Sequence, residues 1–141
     1  MVPLIRKNFS DGRYIERYED YRSNESEVYP ERFRTILIGE NGLTEVTRRI
    51  PSLGRDKLHL SVEALLMPLS PEEEERGLYS AIPEKTKLIG ISKKGKIVLL
   101  ELSPDFLKAE DIEAARAQIE KTLSIAEDNL RVSILVGDEI I

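Results

Sequence analysis

Three groups of side chains in this 141-residue sequence are of types that do chemistry: one histidine, a pair of arginines and a run of four glutamates. His59 stands between Leu58 and Leu60. Imidazole shuttles protons or ligates metals near neutral pH, but with one histidine and no cysteine there is no metal-spaced pair. It reads as a surface or packed residue, with base or ligand as the minor alternative. Arg48-Arg49 lies between Val46 and Ile50, and reads as an exposed edge or loop approach; an anion site is the sharper alternative. Glu72, Glu73, Glu74 and Glu75 carry enough carboxylates for a divalent cation. Successive helical positions, however, fan out by about 100° and cannot converge on one ion. The run reads as solvated charge. A carboxylate pair such as Glu63 with Glu101 depends on folding, since sequence separation does not set their distance.

Other constellations are missing. The sequence has no Gly-x-Ser-x-Gly elbow, phosphate loop, dinucleotide glycine motif or kinase-like set. Gly39-Glu40-Asn41-Gly42 and Gly90-Ile91-Ser92 do not lie between a strand and a helix N-terminus, where phosphate is held. No catalytic, cofactor-binding or metal-ligating residue is therefore assigned. The absence of cysteine leaves the redox compartment undecided. A net charge of −5 and a pI near 5.1 argue against a broad grip on nucleic acid or anionic lipid. A hydrophobic fraction of 40% with 33% charged residues is that of a soluble globular chain. No window approaches the roughly 18 consecutive apolar residues of a spanning helix, and Met1-Val2-Pro3-Leu4-Ile5 is too short for a signal-peptide core.

The elements that would position these residues begin after a distinct N-terminal stretch. Residues 1–30 mix both charge signs with Tyr14, Tyr18, Tyr21 and Tyr29 and few aliphatics. They read as a tether, or as a docking arm in which Tyr14, Tyr18 and Tyr21 form a helical stripe. Residues 32–38 and 43–50 form a hairpin around Glu40-Asn41-Gly42, where the sheet begins. Residues 58–67 form a helix capped by Asp56 and ended by Pro68. Ser70-Pro71 opens a loop or single helical turn that Gly77 stops. Residues 87–92 and 96–103 form a second hairpin about Lys93-Lys94-Gly95, with Gly95 at positive φ. Its second arm is nearly apolar on both faces, the mark of a strand inside a sheet. Ser103-Pro104 opens another turn, with Phe106 and Leu107 expected to face the core. Ile112, Ala115, Ile119, Leu123 and Ala126 recur at helical spacing, and Asn129 stops that helix. Leu130, Val132, Ile134 and Val136 alternate as a last strand, after which Gly137-Asp138 turns the chain out. The order ββαββαβ implies an α/β (α+β) sandwich, a mixed sheet with two helices packed on one face, in which Ile119 and Leu123 pack on Val98, Leu100 and Leu102.

Gly77-Leu78, Ser80-Ala81-Ile82-Pro83, Thr86-Lys87-Leu88, the Gly95 turn and Leu100-Glu101-Leu102-Ser103 with Phe106 resemble the middle of a GerMN domain, the sporulation and spore-germination module. Ala64-Leu65-Leu66 with Pro68 resembles its first helix, residues 115–123 its second, and residues 132–137 its closing strand. One departure stands out: Met67-Pro68-Leu69 occupies the place where the family usually carries Gly-Pro. The resemblance covers roughly residues 32–141 and implies a linker or docking arm at 1–30 and a GerMN-like domain at 31–141. It also implies an arrangement like ring-building modules and a non-catalytic interaction domain. Such a domain sits outside the cytoplasmic membrane, on an anchor absent from this chain. The expected partners are proteins or further copies, met at a sheet edge or helix flank, with no nucleic acid and no direct membrane contact. A ligand-binding module for a cell-wall or envelope component is the alternative, and an unrecognised enzyme the third reading.

Overall fold

The computed structural model describes residues 30–141. The described residues fall into two units: residues 30, 31 and 50–54 belong to the first, and residues 32–49 with 55–141 form the second. The docking stripe of Tyr14, Tyr18 and Tyr21 falls outside the described residues. Of the first unit the described part comprises residues 30, 31 and 50–54, the far ends of two strands and a bend in which Leu53 has φ 51°. The second unit holds the remaining elements.

The first hairpin pairs β1 (Pro30–Gly39) with β2 (Gly42–Pro51) about a turn at Glu40-Asn41. It forms a two-stranded sheet of its own and does not extend the larger one. The reason lies on its outer edge. There Ile38 forms an antiparallel bridge with Tyr79, with N···O distances of 2.8 and 2.9 Å. Ile36 meets side chains of a helix: its N–H donates to Thr122 Oγ1 at 3.1 Å, and its carbonyl accepts from Gln118 Nε2 at 2.9 Å. Backbone groups that would recruit another strand are thereby satisfied.

Helix α1 (Lys57–Leu65) starts where expected, with the Asp56 carboxylate accepting from Leu58 N at 3.0 Å. A short helix α2 (Pro71–Glu75) follows, set by a reciprocal capping box between Ser70 and Glu73. The main sheet has the order β3 (Leu88–Lys94), β4 (Ile97–Leu102), β5 (Arg131–Val136), β6 (Glu139–Ile140). β3 runs antiparallel to β4, β4 parallel to β5, and β5 antiparallel to β6. The parallel pair needs a long crossover, supplied by a 3-10 turn (Pro104–Lys108) and helix α3 (Ile112–Ala126). The fold class is thus the expected mixed α/β arrangement. Gly137-Asp138 turns the chain back into β6 instead of out, and the Ile141 N–H donates to the Ile134 carbonyl at 2.9 Å.

One core unites both helices with the sheet. Leu58, Val62 and Leu65 of α1 and Ala115, Ile119 and Leu123 of α3 share it with Val98, Leu100 and Leu102 of β4 and Ile134 and Val136 of β5. Phe106 is fully buried there, whereas Leu107 is 54% exposed and does not turn inward with it. In a short turn consecutive side chains diverge, so one of the pair must face out.

The β3–β4 turn falls at Gly95-Lys96, one residue later than the spacing suggested. Gly95 has φ +62° at its first central position, and a Cβ there would meet nothing within 4 Å. Replacing it therefore strains only the backbone. Gly95→Val is expected to cost more than about 1 kcal/mol, measured by urea denaturation; an unchanged midpoint would contradict this turn geometry.

Candidate functional site

The chemistry-bearing residues separate into four places. The first is a lock around Arg48. In β2 the buried positions Val46, Arg48 and Ile50 alternate with exposed ones, so strand periodicity carries the guanidinium inward. Nε donates to Glu73 Oε2 at 3.1 Å and Nη2 to Glu73 Oε1 at 2.9 Å, a bidentate pair. Nη1 donates to the carbonyls of Ala64, Leu65 and Met67 at 2.8, 3.1 and 2.8 Å. They lie in and just after the last turn of α1, where carbonyls lack a full set of intrahelical partners; the Ala64 carbonyl also accepts from Met67 N at 3.3 Å. This accounts for α1 ending at Leu65, ahead of Pro68. Both expectations here are corrected: Arg48 is neither an exposed approach nor an anion site, and Glu73 is buried while its neighbours Glu72, Glu74 and Glu75 are exposed. Burial opposes ionisation of Glu73, but hydrogen bonds from Arg48 and from the Ser70 backbone outweigh it and hold the carboxyl below its ordinary value. The missed signal was the i, i+2 row Val46, Arg48, Ile50.

The second place is the α3 clasp. Besides Ile36, Gln118 accepts from Ala81 N at 2.7 Å through Oε1 and donates to Ser80 Oγ at 3.2 Å. Its amide is thus fully engaged in positioning β1 and the segment 80–82. The third is α1's outer side, where Glu63 pairs with Arg55 and with His59 Nε2, the latter at 3.3 Å. His59 is accordingly a partly exposed surface residue beside the Arg55–Glu63 ion pair. Glu101 is not brought to Glu63. It alternates with the core residues Leu100 and Leu102, and pairs with Gly90 and Leu135 on the sheet face away from α1. Among the described residues no group of three or more His, Asp or Glu is placed to hold a metal ion.

The fourth place is that outward sheet face. Its cross-strand rows are Lys94, Ile97, Arg131, then Ser92, Leu99, Ser133, then Gly90, Glu101, Leu135, Ile140. Ile97 is 54% and Ile140 61% exposed; Lys94 and Arg131 flank Ile97, while Leu99 lies between the small Ser92 and Ser133. On the opposite, helix-covered side, where α3 ends near the β3–β4 turn, Glu127 Oε2 accepts from Lys93 Nζ at 3.0 Å and Lys96 Nζ at 3.1 Å. Those two lysines hold its carboxyl below the usual range.

Two depressions adjoin the lock. One, of about 530 Å³, opens over Arg48, Arg49, Ser70 and Arg76. The other, of about 610 Å³, lies between the end of α1, residues 79–84 and residues 108–111. Its lining includes Leu66, Met67, Pro68, Tyr79, Ala81, Pro83 and Ala109, with Glu74, Glu84, Glu110, Asp111 and Lys108. No helix among the described residues is long and apolar enough to cross a membrane.

A family profile described as sporulation and spore germination matches residues 18–141. No curated protein matches the sequence. The fold is similar to the first GerMN domain of the sporulation protein GerM from Bacillus subtilis, with a TM-score of 0.59 and 18% identity over 79% of this chain and 86% of that one. It is also similar to the tandem GerMN domains of the same protein, with a TM-score of 0.60 and 21% identity over 87% of this chain and 48% of the tandem. The chain spans about half the length of that tandem.

Proposed function

The chain belongs to the sporulation and spore germination family, and from that membership we propose that it is a non-catalytic interaction module of an extracytoplasmic, membrane-anchored envelope protein. One observation supports this most: the sheet is covered by helices on one face, while the other leaves Ile97, Leu99, Leu135 and Ile140 in the open or half-covered. Large apolar side chains left open together on one sheet face mark a surface for association.

Association runs through the β3 edge and the face continuous with it, to a protein partner or a second copy. The β3 edge alone is blunted, by a register shift between Leu88 and Gly90 and by Lys93 and Lys94 at its end. This favours the face over simple strand addition. Such contacts are weak in dilute solution and gain from anchoring, which raises effective concentration.

The test is complementation of a chromosomal deletion, read against partner association. Ile97→Asp and Ile89→Asp, both at exposed positions, are expected to abolish association with the urea midpoint unchanged. His59→Ala, on α1 and away from that face, is expected to leave biological activity nearly intact. Loss of activity from His59→Ala, with folding preserved, would favour a catalytic or ligand-binding site instead.

A further inference from the structure

The 610 Å³ depression has walls that other parts of the fold hold rigid. Arg48 fixes the Ala64, Leu65 and Met67 carbonyls on one side. Gln118 fixes Ser80 and Ala81 on the other. A site whose walls are held before anything binds loses less freedom on binding. The floor is apolar, and the rim is not balanced. Glu74, Glu84 and Glu110 are exposed around it. Asp111 is occupied in capping α3, accepting from Ala114 N at 3.0 Å. Among the described residues that line the depression the one cation is Lys108, 3.8 Å from the Asp105 carboxylate. Tyr79, 54% exposed, lines the same depression.

An apolar floor, an aromatic face and a surplus of carboxylates suit one chemistry. Lysine and arginine lay an aliphatic stem on apolar surface, and their cationic ends can sit over a ring and pair with a carboxylate. An acidic or neutral apolar segment leaves the rim charges uncompensated. A volume of this size lies within the range of small-ligand clefts and admits only a few residues. We infer that this cleft binds a short extended segment of a partner polypeptide, in which an apolar side chain is flanked by basic ones. It is separate from the outward sheet face, so the two surfaces can be occupied independently.

The experiment titrates the ¹⁵N-labelled full chain with capped Arg-Leu-Arg and, in parallel, capped Glu-Leu-Glu. The basic peptide is expected to shift the amides of Ala81, Ala109 and Glu110, and the acidic peptide to leave them in place. Glu84→Gln with Glu110→Gln is expected to weaken the basic peptide about fivefold, two rim charges at modest worth each. Raised salt acts in the same direction. Tyr79→Ala is expected to weaken it with the urea midpoint unchanged. Ile97→Asp, which tests the sheet face, leaves the titration as in the parent, so failure of one proposal is distinguishable from failure of the other. No shift at the cleft, equal response to both peptides, or full binding by the double glutamine variant would each overturn the assignment.

Discussion

Glu73→Ala is expected to destabilise the fold by about 3–5 kcal/mol, the largest effect of any glutamate in the 72–75 run, because it leaves the Arg48 guanidinium buried without its counter-charge. The same carboxylate closes the capping box on Ser70, whose N–H it receives at 2.9 Å, so α2 loses its start as well. Glu72→Ala and Glu75→Ala, at exposed neighbours, are expected to stay within about 0.5 kcal/mol. Arg48→Met combined with Glu73→Leu is expected to cost less than the two single changes summed, since no uncompensated charge remains. The measurement is urea denaturation with slopes compared; a Glu73→Ala shift no larger than that of Glu72→Ala would show that the Arg48 lock does not stabilise the fold. The pH dependence follows from sign. Glu73 is held below its ordinary value of 4.5 in the folded state. Its share of stability is therefore fully present above that value and drains away as pH falls through the lowered folded-state value. Parent and Glu73→Gln are expected to converge in stability in acid and to diverge towards neutrality.

Much of this was legible from spacing, and the failures have physical causes. The α3 stripe, the Asp56 and Ser70 caps and the two hairpins were readable because each rests on local geometry: a 3.6-residue period, a side chain reaching its own backbone, a turn that favours glycine. The core pairing of Ile119 and Leu123 with β4 followed from those stripes. Arg48 and Glu73 were misread because charge was taken as a marker of solvent. Their burial is decided by a contact 25 residues apart, which composition does not register. Gln118 and Thr122 were read only as part of a helix, yet their long-range bonds to Ile36 close the β1 edge and keep the first hairpin out of the main sheet. The tell was available: two polar residues four apart within an otherwise apolar stripe. The cleft had no local signature at all, since its lining comes from three separated stretches and Glu74.

Ile119→Ala is expected to cost about 2–5 kcal/mol, and Ile97→Ala less than about 1 kcal/mol. The two isoleucines serve opposite sides of one sheet. Ile119 is fully buried in the cluster formed by α1, α3 and β4, so truncation removes transfer free energy and leaves a cavity that a close-packed interior cannot collapse. Ile97 is 54% exposed at the start of β4, and its methyl groups meet mainly water and the flanking Lys94 and Arg131. Equilibrium unfolding of the two variants beside the parent measures the contrast directly. A small cost at Ile119 would mean that the helices do not pack on β4 as described. A cost at Ile97 matching that at Ile119 would mean that the outward face is already covered within the chain, and would end its candidacy as the surface for a partner. The pair thus separates what the sheet needs in order to fold from what it leaves over for association.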